Sequence, residues 1–219
     1  LNERRLELEK QGKKIYNMSV GTPDFHTPDH IKKALMEAAA DDQNWRYSLR
    51  DLPELLDAVC AYYKKRFHVE ITPDMVMFVY GSQEGMGHLG MTLCDEGDVV
   101  LLPDPCYPVF AAGSKLGGAV PYYYPLVAEH DFLPYVKDIP EDVARKARYM
   151  VVSLPSNPVG SIATPGLYEE IVAFAKKYDI VIIHAATLSL MAWKVEVFLP
   201  LLVRGRLVLS FSAFPNPLT

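Results

Sequence analysis

The chain has 219 residues, of which 50% are hydrophobic and 11% aromatic. A chain of this size and composition can bury a sizeable core, so we predict a globular protein of one or two domains and exclude disorder for most of it. The 22 basic and 27 acidic residues give a formal net charge of -5. These charges lie in short mixed clusters without a basic patch, which argues against a nucleic-acid partner.

Two further features of the composition concern location. The sequence contains no run of eighteen apolar residues, and its first residues are charged and helical in pattern, unlike a signal peptide. The three cysteines, Cys60, Cys94 and Cys106, are odd in number and form no CxxC pair, which is typical of reduced thiols. We therefore predict a soluble cytoplasmic protein and assign no chemistry to the cysteines.

The first part of the chain combines helices with one turn-rich stretch. The charged pattern of residues 1–13 predicts a helix, and residues 21–28 form a turn-rich stretch with prolines and a glycine. Apolar spacing predicts amphipathic helices over residues 29–40 and 52–67. The apolar run at residues 76–80, which follows a Thr-Pro-Asp turn signal, predicts a buried strand that enters a glycine-serine turn.

Strand-like and helix-like segments then alternate. This alternation, with near-continuous apolar strands, predicts a three-layer α/β fold whose mostly parallel sheet is flanked by helices. In such sheets, ligands bind beyond the carboxyl ends of the strands. The predicted strands are residues 99–102, 119–124, 149–154 and 180–184, and the predicted helices are 108–116 and 167–178, besides one that follows residue 82.

Three loops after predicted strands carry candidate site residues. Residues 81–85, Gly-Ser-Gln-Glu-Gly, open a helix whose first amides could bind a phosphate; alternatively Ser82 is simply a helix cap. The stiff loop 103–108 presents Tyr107, which could stack on a planar cofactor or merely cover the sheet edge. Residues 154–160 hold Asn157 between two prolines, although an ordinary Asn-Pro turn has the same pattern. Their convergence on one sheet edge favours the functional interpretation.

With these motifs the chain resembles the class I/II aminotransferases, which are fold type I pyridoxal-phosphate enzymes. The resemblance covers residues 1–184, and it is closest to the aspartate and LL-diaminopimelate aminotransferase branch. The motifs that carry it are Gly-Thr-Pro-Asp-Phe at 21–25 with Thr-Pro at 27–28, Gly-Ser-Gln-Glu-Gly at 81–85, Glu-Gly-Asp at 96–98, Pro-Asp-Pro-Cys-Tyr-Pro at 103–108, and Asn-Pro-Val-Gly at 157–160.

The resemblance implies a cofactor, substrates and site residues. Pyridoxal 5'-phosphate would act as the electron sink while an amino group passes from an amino acid to a 2-oxo acid in amino acid metabolism. The full-length form would be a homodimer, with no membrane, nucleic-acid or metal partner. Ser82 and the backbone near Gln83 would bind the cofactor phosphate, Tyr107 would stack on the pyridine ring, and Asn157 would hydrogen-bond the ring hydroxyl. On the substrate side, Gly21 would lie near the substrate carboxylate, and Tyr47 would reach a phosphate across the dimer interface.

Several positions depart from the family pattern. Tyr47 is followed by Ser-Leu-Arg-Asp, where the family usually has a glycine and an arginine. Ala185 occupies the position of the aspartate that keeps the pyridine nitrogen protonated. The Ser-x-Ser-Lys motif, whose lysine binds the cofactor covalently, is missing, and Lys194 lies in a different context. We assign no catalytic residue and predict that the chain as given is inactive.

The composition changes in the same region, and a shift of reading frame accounts for this. If the third base of each codon is joined to the first two bases of the next, permitted codons for residues 207–219 spell Gly-Val-Glu-Phe-Phe-Ser-Leu-Ser-Lys-Ser-Phe-Asn. The same offset over residues 186–191 permits Asn-Ala-Phe-Ser-Asp. Loss of one base just after His184 would therefore remove the aspartate and the lysine together.

These observations predict three segments and leave two functional alternatives open. We expect an N-terminal arm and small-domain-type helix in residues 1–46, a partial cofactor-binding large domain in residues 47–184, and an aberrant, frameshifted tail in residues 185–219. The chain is then either an aminotransferase gene product with an artefactual or truncated tail, or a non-catalytic fragment. Such a fragment would bind the cofactor phosphate weakly or pair with a full-length subunit. A third possibility, a different phosphate-bearing ligand, is disfavoured by the order of the motifs.

Overall fold

The computed structural model describes residues 2–16, 18, 26–164, 166–185 and 208–211, the last of these as backbone only. The chain divides into two compact units between Arg46 and Tyr47. In the first unit, helices α1 (Asn2–Lys10) and α2 (Asp29–Ala39) lie close to their predicted positions, and neither has a buried residue. A 3-10 turn over Asp42–Trp45 follows, in which the Trp45 indole donates a hydrogen bond of 2.9 Å to the Ala39 carbonyl.

The second unit contains the predicted alternation of helices and strands. It begins with two helices, and the alternating elements then run to the last described strand. The order is α3 (Pro53–Phe67), α4 (Ser82–Leu93), β1 (Val99–Asp104), α5 (Pro108–Leu116), β2 (Val120–Pro125), α6 (Glu141–Ala144), β3 (Ala147–Val152), α7 (Leu167–Tyr178), β4 (Val181–Ala185) and β5 (Val208–Phe211).

The strands form one sheet in the order β2-β1-β3-β4-β5, and every neighbouring pair is parallel. In the register, Leu101 of β1 faces Tyr122 of β2, and Val152 of β3 faces His184 of β4. Because all strands run in one direction, the loops that leave their carboxyl ends share one edge of the sheet. The prediction of a mostly parallel α/β sheet with flanking helices is thereby confirmed.

Each face of the sheet is covered by its own apolar core. Alternate residues of a strand point to opposite faces, so Met150 and Val152 of β3 join one core while Tyr149 and Val151 join the other. The first core includes Ile171 and neighbouring residues of α7, and the second includes residues of α4 and α5. The sheet is buried on both sides, which accounts for the near-continuous apolar character of its strands.

The predicted buried strand at residues 76–80 is wrong. The segment is not part of the sheet, and the side chains of Met77 and Tyr80 are 79% and 97% exposed. Val76 and Phe78 instead pack against a small cluster centred on α3, and the Phe78 amide donates to a carboxylate oxygen of Asp51 at 3.2 Å. A strand requires a pairing partner, and none of the described strands pairs with this segment.

Two observations concern the rest of the unit. Strand β5 lies within residues 185–219, the predicted aberrant tail, and it pairs with β4 from Ile182 to Ala185. None of the helices in the described ranges is long and apolar enough to cross a membrane.

Candidate functional site

The phosphate-binding candidate lies at the start of α4. Gly81 precedes the helix with φ of 85° and ψ of 147°, a conformation that favours glycine, and Ser82 and Gln83 begin the first turn. No side chain caps this helix, so Ser82 does not have the capping role that was the alternative interpretation. The first amides of α4 and the positive end of its dipole are therefore suited to an anion.

Tyr107 lies beside this turn. It precedes α5, directly after the loop that leaves β1, and its hydroxyl accepts a hydrogen bond from the side-chain amide of Gln83. The Tyr107 ring packs edge-to-face against Phe110, with 6.1 Å between ring centroids and 69° between ring planes. The structure thus brings together two of the three predicted loops.

The two helices that carry these residues are in direct backbone contact. A Cβ atom on Gly90 would lie 2.3 Å from the Gly113 carbonyl oxygen, and one on Gly117 would lie 2.1 Å from the carbonyl carbon of Gly90. Only glycines permit this approach. They therefore set the spacing between α4 and α5, whose first turns meet at Gln83 and Tyr107. These glycines were not predicted, although Gly87 and Gly90 are three residues apart in the sequence and Gly113 and Gly117 are four apart.

Asn157 lies in the loop that leaves β3, the strand next to β1 in the sheet. Two backbone hydrogen bonds close this loop, from the Ser156 amide to the Ser161 carbonyl at 2.9 Å and from the Gly160 amide to the Ser156 carbonyl at 2.8 Å. Asn157 is exposed, and its side chain forms no hydrogen bond with any residue that the structure describes. Its amide is free to contact a ligand at the shared sheet edge.

Of the two residues assigned to the substrate side, the structure describes only Tyr47. Tyr47 is 89% exposed, and within the described ranges no hydrogen bond joins it to the turn of α4. Gly21 lies outside the described residues.

A buried polar pair near the carboxyl end of β4 was not predicted. The Nε2 atom of His184 lies 2.9 Å from the Tyr168 hydroxyl, and both residues are buried. The next residue, Ala185, faces the opposite side of the sheet and joins the core formed with α4 and α5. A polar side chain among strand residues was the signal that could have indicated this pair.

Cys94 and Cys106, two cysteines of the second unit, are not activated. The pKa of the Cys94 thiol is raised to about 11, mainly by burial and to a smaller extent by the charge of Asp98. The pKa of the Cys106 thiol is also raised, mainly by burial and to a smaller extent by the charge of Asp104. A raised pKa leaves less thiolate, so neither residue is suited to nucleophilic chemistry. Among the described residues, no group of three potential ligands could hold a metal ion.

Taken together, the parallel sheet, the uncapped start of α4 and the adjacent Tyr107 define an α/β protein whose carboxyl strand edge is suited to a phosphorylated ligand. Comparison with known families identifies it further. The chain belongs to the class I and II aminotransferases, whose family model matches residues 13–194. The matched region leaves out the charged first helix and extends past His184, whereas the resemblance based on motifs covered residues 1–184.

Relatives and solved structures agree with this assignment. The LL-diaminopimelate aminotransferase of Syntrophobacter fumaroxidans is 38% identical over 191 residues, which are 86% of this chain and 49% of that protein. An alanine aminotransferase from Pyrococcus furiosus has 30% identity and a TM-score of 0.84 over 94% of this chain and 54% of its own. An aspartate aminotransferase from Thermus thermophilus, with 23% identity and a TM-score of 0.86 over 96% of this chain and 55% of its own, shares the fold. The chain spans about half the length of the curated relatives it matches.

The class I and II aminotransferases are pyridoxal-phosphate enzymes, and the residues present fit only part of that cofactor. The uncapped start of α4 would meet its phosphate, the Tyr107 ring would meet its pyridine ring, and the Asn157 amide, which has no hydrogen bond among the described residues, would meet its hydroxyl. At the end of β4, the methyl group of Ala185 provides no charge for a pyridine nitrogen. Residues 195–219 contain no lysine.

Proposed function

We propose that this chain is part of a pyridoxal-phosphate-dependent aminotransferase that moves an amino group from an amino acid to a 2-oxo acid. The observation that carries the proposal is the hydrogen bond from Gln83 to Tyr107, which joins the anion-binding turn of α4 to the stacking tyrosine after β1. The names of the curated relatives extend the proposal to amino acid biosynthesis, with LL-diaminopimelate as the amino substrate of the whole protein.

In this proposal each residue acts on one part of the bound molecule. Ser82 and the first amides of α4 bind the phosphate, Tyr107 covers one face of the ring, and Asn157 donates from its amide to the ring hydroxyl. When bound, the cofactor supplies an electron sink. Gly21 is the residue that we assign to the substrate carboxylate. Tyr47, which is exposed, reaches the phosphate of a partner subunit in a homodimer.

The chain as given is inactive in this proposal because it lacks the lysine and the aspartate. It binds the cofactor without a covalent link, and the whole protein is a cytoplasmic homodimer. The three unpaired cysteines support that location. The alternative is a non-catalytic fragment that pairs with a full-length subunit, which sedimentation of the mixed chains would detect.

The proposal includes a frameshift after His184. One lost base accounts for Ala185, for the missing lysine and for the changed composition of residues 185–219. The encoding DNA provides the test: read one frame over, it should spell Ser-Leu-Ser-Lys near the end, with the lysine codon spanning Pro215 and Asn216. If the DNA does not spell this motif, the frameshift is rejected.

Ligand binding tests the site. Pyridoxamine 5'-phosphate, which has no aldehyde to react with surface lysines, should bind the chain, and pyridoxamine without the phosphate should bind at least tenfold more weakly. Tyr107→Ala should weaken binding, whereas Tyr123→Ala, at an exposed position of the edge strand β2, should not. Pyridoxal phosphate followed by borohydride should label no single lysine preferentially. Equal binding by the two variants would contradict the assigned site.

A further inference from the structure

His184 and Tyr168 form a buried polar contact between β4 and α7. The Tyr168 hydroxyl lies 2.9 Å from Nε2 of His184, and the two rings pack edge-to-face with 5.5 Å between centroids and 78° between planes. His184 is 4% exposed and Tyr168 is equally buried. A buried polar pair in an otherwise apolar core is costly unless it is satisfied, so it requires a structural or functional explanation.

The protonation state of the ring follows from its surroundings. Burial lowers the pKa of His184 to about 4, so the imidazole is neutral at physiological pH and has one donor and one acceptor nitrogen. If the Tyr168 hydroxyl donates to Nε2, the remaining N–H of the ring is on Nδ1. Within the described ranges Nδ1 has no partner in hydrogen-bonding geometry, but the Leu154 backbone is close enough to favour the protonated ring.

Leu154 connects this pair to the candidate site. It begins the loop that carries Asn157, and it lies in the same apolar core as Tyr168. In the sheet, His184 is the register partner of Val152, the last residue of β3 before that loop. The imidazole therefore lies where β4, α7 and the start of the Asn157 loop meet.

We propose that His184 and Tyr168 are positioning residues, which hold the loop from Leu154 to Asn157 against β4 and so present the Asn157 amide to the ring of a bound pyridine ligand. The part of this proposal that concerns the ligand rests on the proposed function, whereas the part that concerns the position of the loop does not. Neither residue touches the ligand itself, and both act through Asn157.

The first test measures the loop without any ligand. Tyr168→Phe removes the hydroxyl but keeps the ring, and Tyr178→Phe on the same helix is the matched control. Amide hydrogen exchange at Ser156 and Gly160 should become about fivefold to tenfold faster in Tyr168→Phe, the range expected for loss of one hydrogen bond, and should not change in Tyr178→Phe. His184→Gln, which retains an acceptor, should preserve more protection than His184→Leu. Unchanged exchange, or an equal increase throughout β1 and β3, would overturn the positioning role.

The second test measures ligand contact. Tyr168→Phe should weaken pyridoxamine 5'-phosphate binding about tenfold and leave inorganic phosphate binding unchanged. In the Asn157→Ala background the same substitution should have no further effect, because the two residues act through one contact. Additive effects would overturn the role through Asn157. If the unmodified chain binds neither ligand, the proposed function fails, and the exchange measurements still decide whether the pair holds the loop.

Discussion

The contact between α4 and α5 leads to a sharp prediction about Gly90. A Cβ atom at Gly90 would lie 2.3 Å from the Gly113 carbonyl oxygen and 2.9 Å from the Ser114 Cα and carbonyl oxygen. These are backbone atoms, so no side-chain rotation can relieve the overlap. Gly87, in the same helix, offers a matched control, since a Cβ there would meet only a Val109 methyl group at 4.0 Å.

The two substitutions should change the free energy of unfolding in opposite directions. Alanine in place of a helical glycine stabilises a helix by about 1 kcal/mol when nothing obstructs it. Overpacking a well-packed contact costs about 1–3 kcal/mol, and more where backbone must move. Gly87→Ala should therefore raise the free energy of unfolding by up to about 1 kcal/mol. Gly90→Ala should lower it by about 2 kcal/mol, because the helices must separate by about 1 Å.

Urea unfolding followed by circular dichroism at 222 nm would measure both variants against the unmodified chain. Because the first turns of α4 and α5 meet at Gln83 and Tyr107, Gly90→Ala should also weaken pyridoxamine 5'-phosphate binding. If Gly90→Ala and Gly87→Ala shift the urea midpoint equally and in the same direction, the backbone contact does not have the assigned role.

Three further predictions concern the second unit. Because His184 is buried neutral with a lowered pKa of about 4, its contribution to stability should be complete above pH 6.5 and fall by about 3 kcal/mol down to pH 4. This loss, measured by urea unfolding at each pH, should be absent in His184→Gln. Tyr124→Phe should lose about 1–2 kcal/mol in the same assay, because the Tyr124 hydroxyl donates a buried 2.6 Å hydrogen bond to the Val151 carbonyl. Tyr123→Phe should change little, and equal losses would contradict this account. At pH 8, iodoacetamide should alkylate Cys94 about a hundredfold more slowly in the folded than in the unfolded chain, because burial raises its pKa to about 11. Equal rates by mass spectrometry would refute this prediction.

The prediction of secondary structure succeeded where local pattern and tertiary environment agree. The helices Pro108–Leu116 and Leu167–Tyr178 have the predicted bounds, since an apolar stripe at helical spacing needs only one face to pack against. Strands β1 to β4 were also predictable to within a few residues, whereas β5 was not predicted. Their apolar runs are buried on both faces, as in other parallel sheets.

The segment at residues 76–80 shows the limit of local pattern. Its apolar residues predicted a strand, but Val76 and Phe78 find their contacts on α3. An apolar run indicates burial without indicating the partner. Strand pairing is non-local, so the sequence pattern of one segment cannot reveal whether a neighbouring strand is available.

For the candidate site, the sequence alone determined which residue types follow which strands, and the family motifs assigned them to the phosphate, the ring and the hydroxyl. Only the tertiary structure decided that Gln83 donates to Tyr107, that glycines set the distance between α4 and α5, and that His184 contacts Tyr168. These contacts join residues far apart in the chain. They depend on backbone approach and burial, which arise only when the sheet and its helices pack together.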